Sequence, residues 1–104
     1  MDEPVIVLAK FQPLDGNENT VLEILKEMVK PSRNESGNVF YNLYKNKVDQ
    51  SEKIEFCLFE KYKDEKALDE HRETEHYKAY RAKIMDHLKA PIGVTVLSTV
   101  DAID

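Results

Sequence analysis

Residues 53–62 read KIEFCLFEKY, and this stretch decides the fold. Ile54, Phe56, Leu58 and Glu60 fall on one side of a two-residue alternation, and Cys57 and Phe59 fall on the other. That period, with its aromatic residues, predicts a strand. Upstream, VDQSEK at 48–53 reads as a turn, and NVFYNLYKN at 38–46 as a second strand. Further back, Val21, Leu22, Ile24, Leu25, Met28 and Val29 make the stripe of an amphipathic helix over 17–30. Asp15 with Glu18 resembles a capping box, Asn17 is a rival N-cap, and Pro31 is expected to end the helix. A polar loop from Ser32 to Gly37 follows. PVIVLAKFQ at 4–12, bounded by prolines, reads as the first strand.

Downstream of the deciding strand, Asp64 can cap a short helix running to about His71, and Thr74 a second running to about Leu88. Tyr77, Tyr80, Ile84 and Leu88 form the stripe of that second helix. Pro91 closes it, and IGVTVLSTV at 92–100 reads as the last strand. The order is β-α-β-β-α-β over one domain, 1–104. It predicts an α+β, ferredoxin-like fold: a four-stranded antiparallel sheet with its helices on one face.

Both sheet faces are apolar. Val5, Val7, Ala9 and Phe11 oppose Ile6 and Leu8, and Ile92, Val94 and Val96 oppose Leu97. Helices on one side leave the other uncovered. The expectation is a homodimer with its two sheets face to face, closing a joint β-barrel. A mildly apolar, solvated face is the alternative.

Composition excludes several classes. The chain has 104 residues, 41% hydrophobic and 34% charged, which suits one soluble domain. Its longest apolar run, Val5 to Ala9, is far short of the ~20 residues that span a bilayer, so no membrane association is expected. The net charge is −5, and the basic residues are scattered, which argues against a nucleic-acid partner. The N-terminus lacks a signal-peptide pattern, and the lone Cys57 cannot form an intrachain disulfide, so a cytoplasmic location is expected. No Gly-rich nucleotide fingerprint is present, so no flavin or nicotinamide cofactor is implied.

The loop SRNESGN at 32–38, then VFYNLY, then FCLFEKYKDEKALDEHRETEHYKAY at 56–80 resemble the antibiotic biosynthesis monooxygenase (ABM) family. The matching positions are Ser32, Arg33, Glu35, Gly37, Asn38, Tyr41, Glu60, Tyr62, Ala67, Leu68, His71 and His76, and PIGVTVLSTVD at 91–101 looks like the family's last strand. The resemblance implies a dimeric α+β barrel with a pocket between the sheet and the helices of each protomer. It also implies a choice of reactions. Several relatives oxygenate phenols or quinols with O₂ and no metal or flavin, others isomerise small carbonyl compounds, and some degrade haem. Haem-degrading relatives use a pocket tryptophan, and this chain has no tryptophan.

Within that frame His71 and His76 are the acid–base candidates, since a neutral imidazole takes a proton near neutral pH. For His71 the competing role is a core-edge histidine. For His76 it is a brace for the short helix. Their five-residue spacing across a helix break speaks against a metal pair, and no metal is expected. His87 reads as surface. Glu60 lies on an apolar strand face and needs a partner, for which Arg33 is the candidate. Asn38 can donate to a substrate oxygen or hold a turn. Tyr41, Tyr77 and Tyr80, with Arg33 and Glu60, are the expected substrate-binding residues, aromatic walls for a planar ligand. Cys57 reads as inert. The leading expectation is a cofactor-independent monooxygenase with His71 as base and Asn38 on the oxyanion. The alternatives are an isomerase of a small phosphorylated or dicarbonyl compound and a non-catalytic ligand-binding dimer.

Overall fold

The computed structural model describes residues 3–47 and 53–103. Its elements are β1 (Val5–Phe11), α1 (Glu18–Arg33), β2 (Asn38–Lys45), β3 (Phe56–Tyr62), α2 (Glu65–Arg72), α3 (Glu75–Ile84) and β4 (Gly93–Ser98), with a 3₁₀ turn at Met85–His87 after α3. The four strands form one antiparallel sheet in the order β2-β3-β1-β4. This is the expected ferredoxin-like arrangement. The turn assigned to VDQSEK falls on 48–52, outside the described residues, apart from Lys53.

The register makes the two faces explicit. Tyr41, Glu60, Val7 and Val96 form one row across the sheet, and Leu43, Leu58, Ala9 and Val94 form the next. These rows face the helices. The opposite face carries the row Phe40, Lys61, Ile6 and Leu97 and the row Asn42, Phe59, Leu8 and Thr95. The main core lies under α1 and α3, where Val21, Leu25, Met28 and Ile84 pack on Phe11, Tyr41 and Leu58. A smaller cluster under α2 joins Val7, Tyr62, Ala67 and Leu68.

The helix layer stops short of β4. Val94 and Val96 point to the helix side yet remain 48% and 53% exposed, and Leu97 on the other face is 40% exposed. The β4 edge is therefore apolar and uncovered on both faces, not on the outer face alone.

Three local expectations are corrected. Pro31 does not end α1, which continues to Arg33. Proline lacks its own N–H and crowds the carbonyl four residues before it, but the residues after it keep their donors: Asn34 N–H donates to Lys30 O and Glu35 N–H to Ser32 O. Ser32 is thus a buried helical residue rather than the start of a polar loop. No capping box forms at Asp15. Gly16, with φ 89°, turns the chain there, and its N–H donates to Glu18 Oε1 at 3.0 Å, while Asn17 takes the N-cap position without a side-chain bond. The other two caps form as expected: Asp64 accepts from Ala67 N–H and Thr74 from Tyr77 N–H. Among the described residues, no helix is long and apolar enough to cross a membrane.

Candidate active site

Two chain reversals build the site. The first runs from the end of α1 to β2. Gly37 lies so close to α2 that a Cβ there would sit 2.4 Å from the Ala67 Cβ. This contact presses the 34–37 turn onto α2 and brings Glu35 over His71. The second reversal separates α2 from α3. Thr74 closes it, donating N–H and Oγ1–H to His71 O and accepting from Tyr77 N–H. The chain doubles back, so His76 in the first turn of α3 faces His71.

The result is a three-residue cluster. Glu35 Oε2 lies 2.8 Å from His71 Nδ1 and 2.6 Å from His76 Nε2. His71 is 2% exposed, and its ring sits among Tyr41, Tyr62, Tyr77 and His76 with centroids 5.1–5.9 Å away. On its other edge, His71 Nε2 is 3.9 Å from Glu60 Oε1, and that oxygen accepts from Tyr62 O–H at 2.8 Å. A carboxylate can only accept, so Glu35 assigns a proton to His71 Nδ1 and another to His76 Nε2. His71 Nε2 is then the free lone pair.

Electrostatics support that assignment. Burial holds the His71 imidazole below the ordinary histidine range, against the opposing pull of Glu35, so the ring is neutral. Burial pushes Glu60 up to about 7, with the Tyr62 hydrogen bond and the Arg72 charge opposing. The Tyr41, Tyr62 and Tyr80 phenols are raised by burial and stay protonated.

Glu60 makes folding pH-dependent. Between pH 4.5 and about 7 the folded chain keeps the Glu60 proton that the unfolded chain has released. Stability from this group therefore falls as pH rises through that window and is level above it. Glu60→Gln is expected to flatten this slope and to raise stability at pH 8 by up to about 3 kcal/mol, measured by urea unfolding across pH.

A narrow cleft of about 30 Å³ opens beside His71, lined by Val7, Glu60, Tyr77, Tyr80, Arg81 and Val94. That is roughly the space of one water. A wider surface groove of about 510 Å³, along Pro4, Val5, Asp64, Lys66 and Ser98, shares none of these residues.

Most expected site residues converge here. His71, Glu60, Tyr77 and Tyr80 line the cleft, Tyr41 backs the His71 ring, and His76 reaches it through Glu35. Arg33 does not pair with Glu60. Because α1 runs on through Arg33, its guanidinium reaches β2 instead, donating to Tyr41 O at 2.9 Å and Asn42 Oδ1 at 3.3 Å. Asn38 spends an amide N–H on Phe40 O at 3.1 Å, bracing the bulge at the start of β2. His71 and His76 do lie on separate helices, α2 and α3, as their five-residue spacing implies. The helix break that takes them off one face is the feature that folds them onto one carboxylate. Glu35 has a place in the 32–38 motif but no role assigned from sequence, and it is the centre of the cluster. The available signal was an acidic residue two positions before a glycine, which reads equally well as solvated loop.

The model of the family described as antibiotic biosynthesis monooxygenase matches residues 4–83, a span that contains every residue of the cluster. This chain belongs to the ABM family. Curated relatives are near in sequence. "Putative monooxygenase Rv0793" of Mycobacterium tuberculosis is 39% identical over 101 residues, 97% of this chain and 96% of that protein. "Putative monooxygenase YcnE" of Bacillus subtilis is 41% identical over 90 residues, 86% of this chain and 92% of that protein. The solved structure of Rv0793 superposes with a TM-score of 0.89 over 97% of this chain and 99% of that one. PA3566 of Pseudomonas aeruginosa, at 25% identity, gives 0.85 over 97% and 98%. The ABM assignment makes a monooxygenase the activity class of this chain.

Proposed function

We propose that this chain oxygenates a small electron-rich phenol or quinol with O₂ and without a cofactor. His71 Nε2 acts as the base. The observation that carries this reading is the 2.8 Å contact of Glu35 with His71 Nδ1, which leaves Nε2 as a lone pair in a cleft walled by tyrosines. Proton abstraction yields a phenolate whose ring carbon is electron-rich enough to reduce O₂. One oxygen atom becomes a new carbonyl at a ring C–H carbon and the other leaves as water. The substrate supplies all four electrons, so no external reductant is needed. Asn38, whose amide has a second N–H, is the proposed donor to the substrate oxygen. The cleft admits an aromatic ring only if Tyr77 and Arg81 swing outward. Arg81 is held by the Tyr77 hydroxyl at 3.2 Å, at an exposed position.

Oxygen consumption by metal-stripped protein against a panel of reduced naphthoquinols and anthrones tests the reading. Uptake above the substrates' own autoxidation supports it, and none overturns it. The small cleft favours a second reading: isomerisation of a small dicarbonyl, with His71 as base and protonated Glu60 as acid. Exchange of a substrate C–H for deuterium without oxygen uptake identifies that reaction.

The apolar β4 edge supports a further part of the proposal, a homodimer through the sheet face. Ile6, Leu8, Phe59 and Leu97 form a contiguous apolar surface there, and Phe40 packs on Phe59 at 5.2 Å. Leu97→Glu is expected to shift the protein from dimer to monomer in analytical ultracentrifugation. A wild-type protein that sediments as a monomer would remove the dimer from the reading.

A further inference from the structure

We infer that Glu35, His71 and His76 form a binding site for one divalent first-row transition cation, ligated through Oε2, Nδ1 and Nε2. The three donor atoms lie within 4.8 Å of one another and come from three separate elements, the 34–37 turn, α2 and α3. The protein has therefore already met the entropic cost of gathering them. Metal–nitrogen and metal–oxygen bonds of about 2.0–2.2 Å place neighbouring donors about 3.0–3.4 Å apart. The present contacts of 2.8 Å and 2.6 Å must open, and because both ring nitrogens point at Oε2, the cation takes that oxygen's present place while the carboxylate swings aside to ligate it. Rotation of the Glu35 side chain supplies that movement.

The donor chemistry selects the ion. Two imidazoles and one carboxylate suit Zn²⁺, Fe²⁺ or Co²⁺, whereas Mg²⁺ and Ca²⁺ prefer all-oxygen shells. Three protein ligands leave coordination positions open. A carboxylate also stands beside the other ring nitrogen. His71 Nε2 is 3.9 Å from Glu60 Oε1, longer than a hydrogen bond, and Tyr62 O–H donates to that oxygen at 2.8 Å. Closing that gap would give the ligating ring the carboxylate partner that usually orients it. Access comes from the His76 side. The His76 and Glu35 side chains are 24% and 16% exposed, and a surface groove of about 120 Å³ between α1 and α3 reaches His76.

Binding displaces the two N–H protons that now face Glu35. His71 then carries its proton on Nε2, next to Glu60, and His76 carries its own on Nδ1. The cation site goes beyond the monooxygenase reading, but one consequence rests on it. With a metal on Nδ1, the neutral His71 has no lone pair at Nε2, so the cation blocks the proposed base.

Titration of metal-stripped protein with Co²⁺, followed by ligand-field absorption, and competition of Zn²⁺ against a chromophoric chelator test the site. One equivalent is expected to bind. His76→Ala and Glu35→Gln are each expected to weaken binding by at least ~10-fold, with folding checked by circular dichroism. His87→Ala, outside the cluster, is expected to leave binding unchanged. No binding by wild type, or binding that survives both cluster variants, overturns the site. Activity assays in the same samples separate the two readings. Bound Zn²⁺ with unchanged activity keeps the site and removes His71 as base. Activity without any cation binding keeps the base and removes the site.

Discussion

His71→Ala is expected to lower turnover by about 10²- to 10⁴-fold, the usual contribution of a positioned general base. The reason is geometric. His71 Nε2 is the lone pair that the hydrogen-bond network leaves free beside the cleft, and no other group there combines a neutral base with a fixed orientation. The ring is 2% exposed, so its removal also leaves a cavity and an unpaired Glu35. Two further measurements separate chemistry from folding. Added imidazole is expected to restore part of the lost rate to His71→Ala. Glu35→Leu keeps roughly the bulk of the side chain but removes the oxygen that accepts from His71 Nδ1, so the ring proton is no longer held away from Nε2. It is expected to lower turnover by less than His71→Ala does, because the imidazole itself remains. Because burial lowers the proton affinity of His71, the acid limb of the rate profile is expected below the ordinary histidine range. Wild-type turnover in His71→Ala would end the assignment.

The second large effect concerns stability. Gly37→Ala is expected to cost about 1–3 kcal/mol, because the added Cβ would lie 2.4 Å from the Ala67 Cβ, with the helix backbone only 3.4 Å away. Neither atom is the end of a flexible chain, so the 34–37 turn and α2 must separate. Total stability of a small domain is on the order of 5–15 kcal/mol, and the midpoint in urea should drop visibly. The displacement also draws Glu35 away from His71, so activity should fall by more than the folded fraction does. Ala67→Gly removes the clashing methyl. In the double variant the combined cost is expected to be smaller than the sum of the two single costs. Simple additivity would show that the close approach is not the cause.

Much of the fold was legible because its signals are local. The alternation in KIEFCLFEKY, the stripe from Val21 to Val29 and the caps at Asp64 and Thr74 each act within a few residues, and each forms as read. Pro31 misled because an interior proline disturbs the turn before it, while the residues after it keep their N–H groups and complete the end of α1. Arg33 was paired with the wrong partner for the same reason, since the extra turn carries its guanidinium to β2.

The identities of the candidate base and its neighbours, His71, His76, Glu60, Tyr77 and Tyr80, were accessible as residue types on helix and strand faces. Their arrangement was not. Glu35 meets His71 across 36 positions and His76 across 41. No periodicity reports a contact at that separation. It exists because Gly37 lets one turn approach α2 and Thr74 reverses the chain into α3. The same limit applies to β4, where the sequence shows only that Ile92, Val94 and Val96 oppose Leu97. How far a helix layer extends across a sheet depends on the packing of α1 and α3, and here it stops before Val94 and Val96. Sequence alone determined the elements, their order and the chemistry available. The tertiary structure decided which carboxylate holds which imidazole, because hydrogen bonds between distant segments form only where packing brings their ends together.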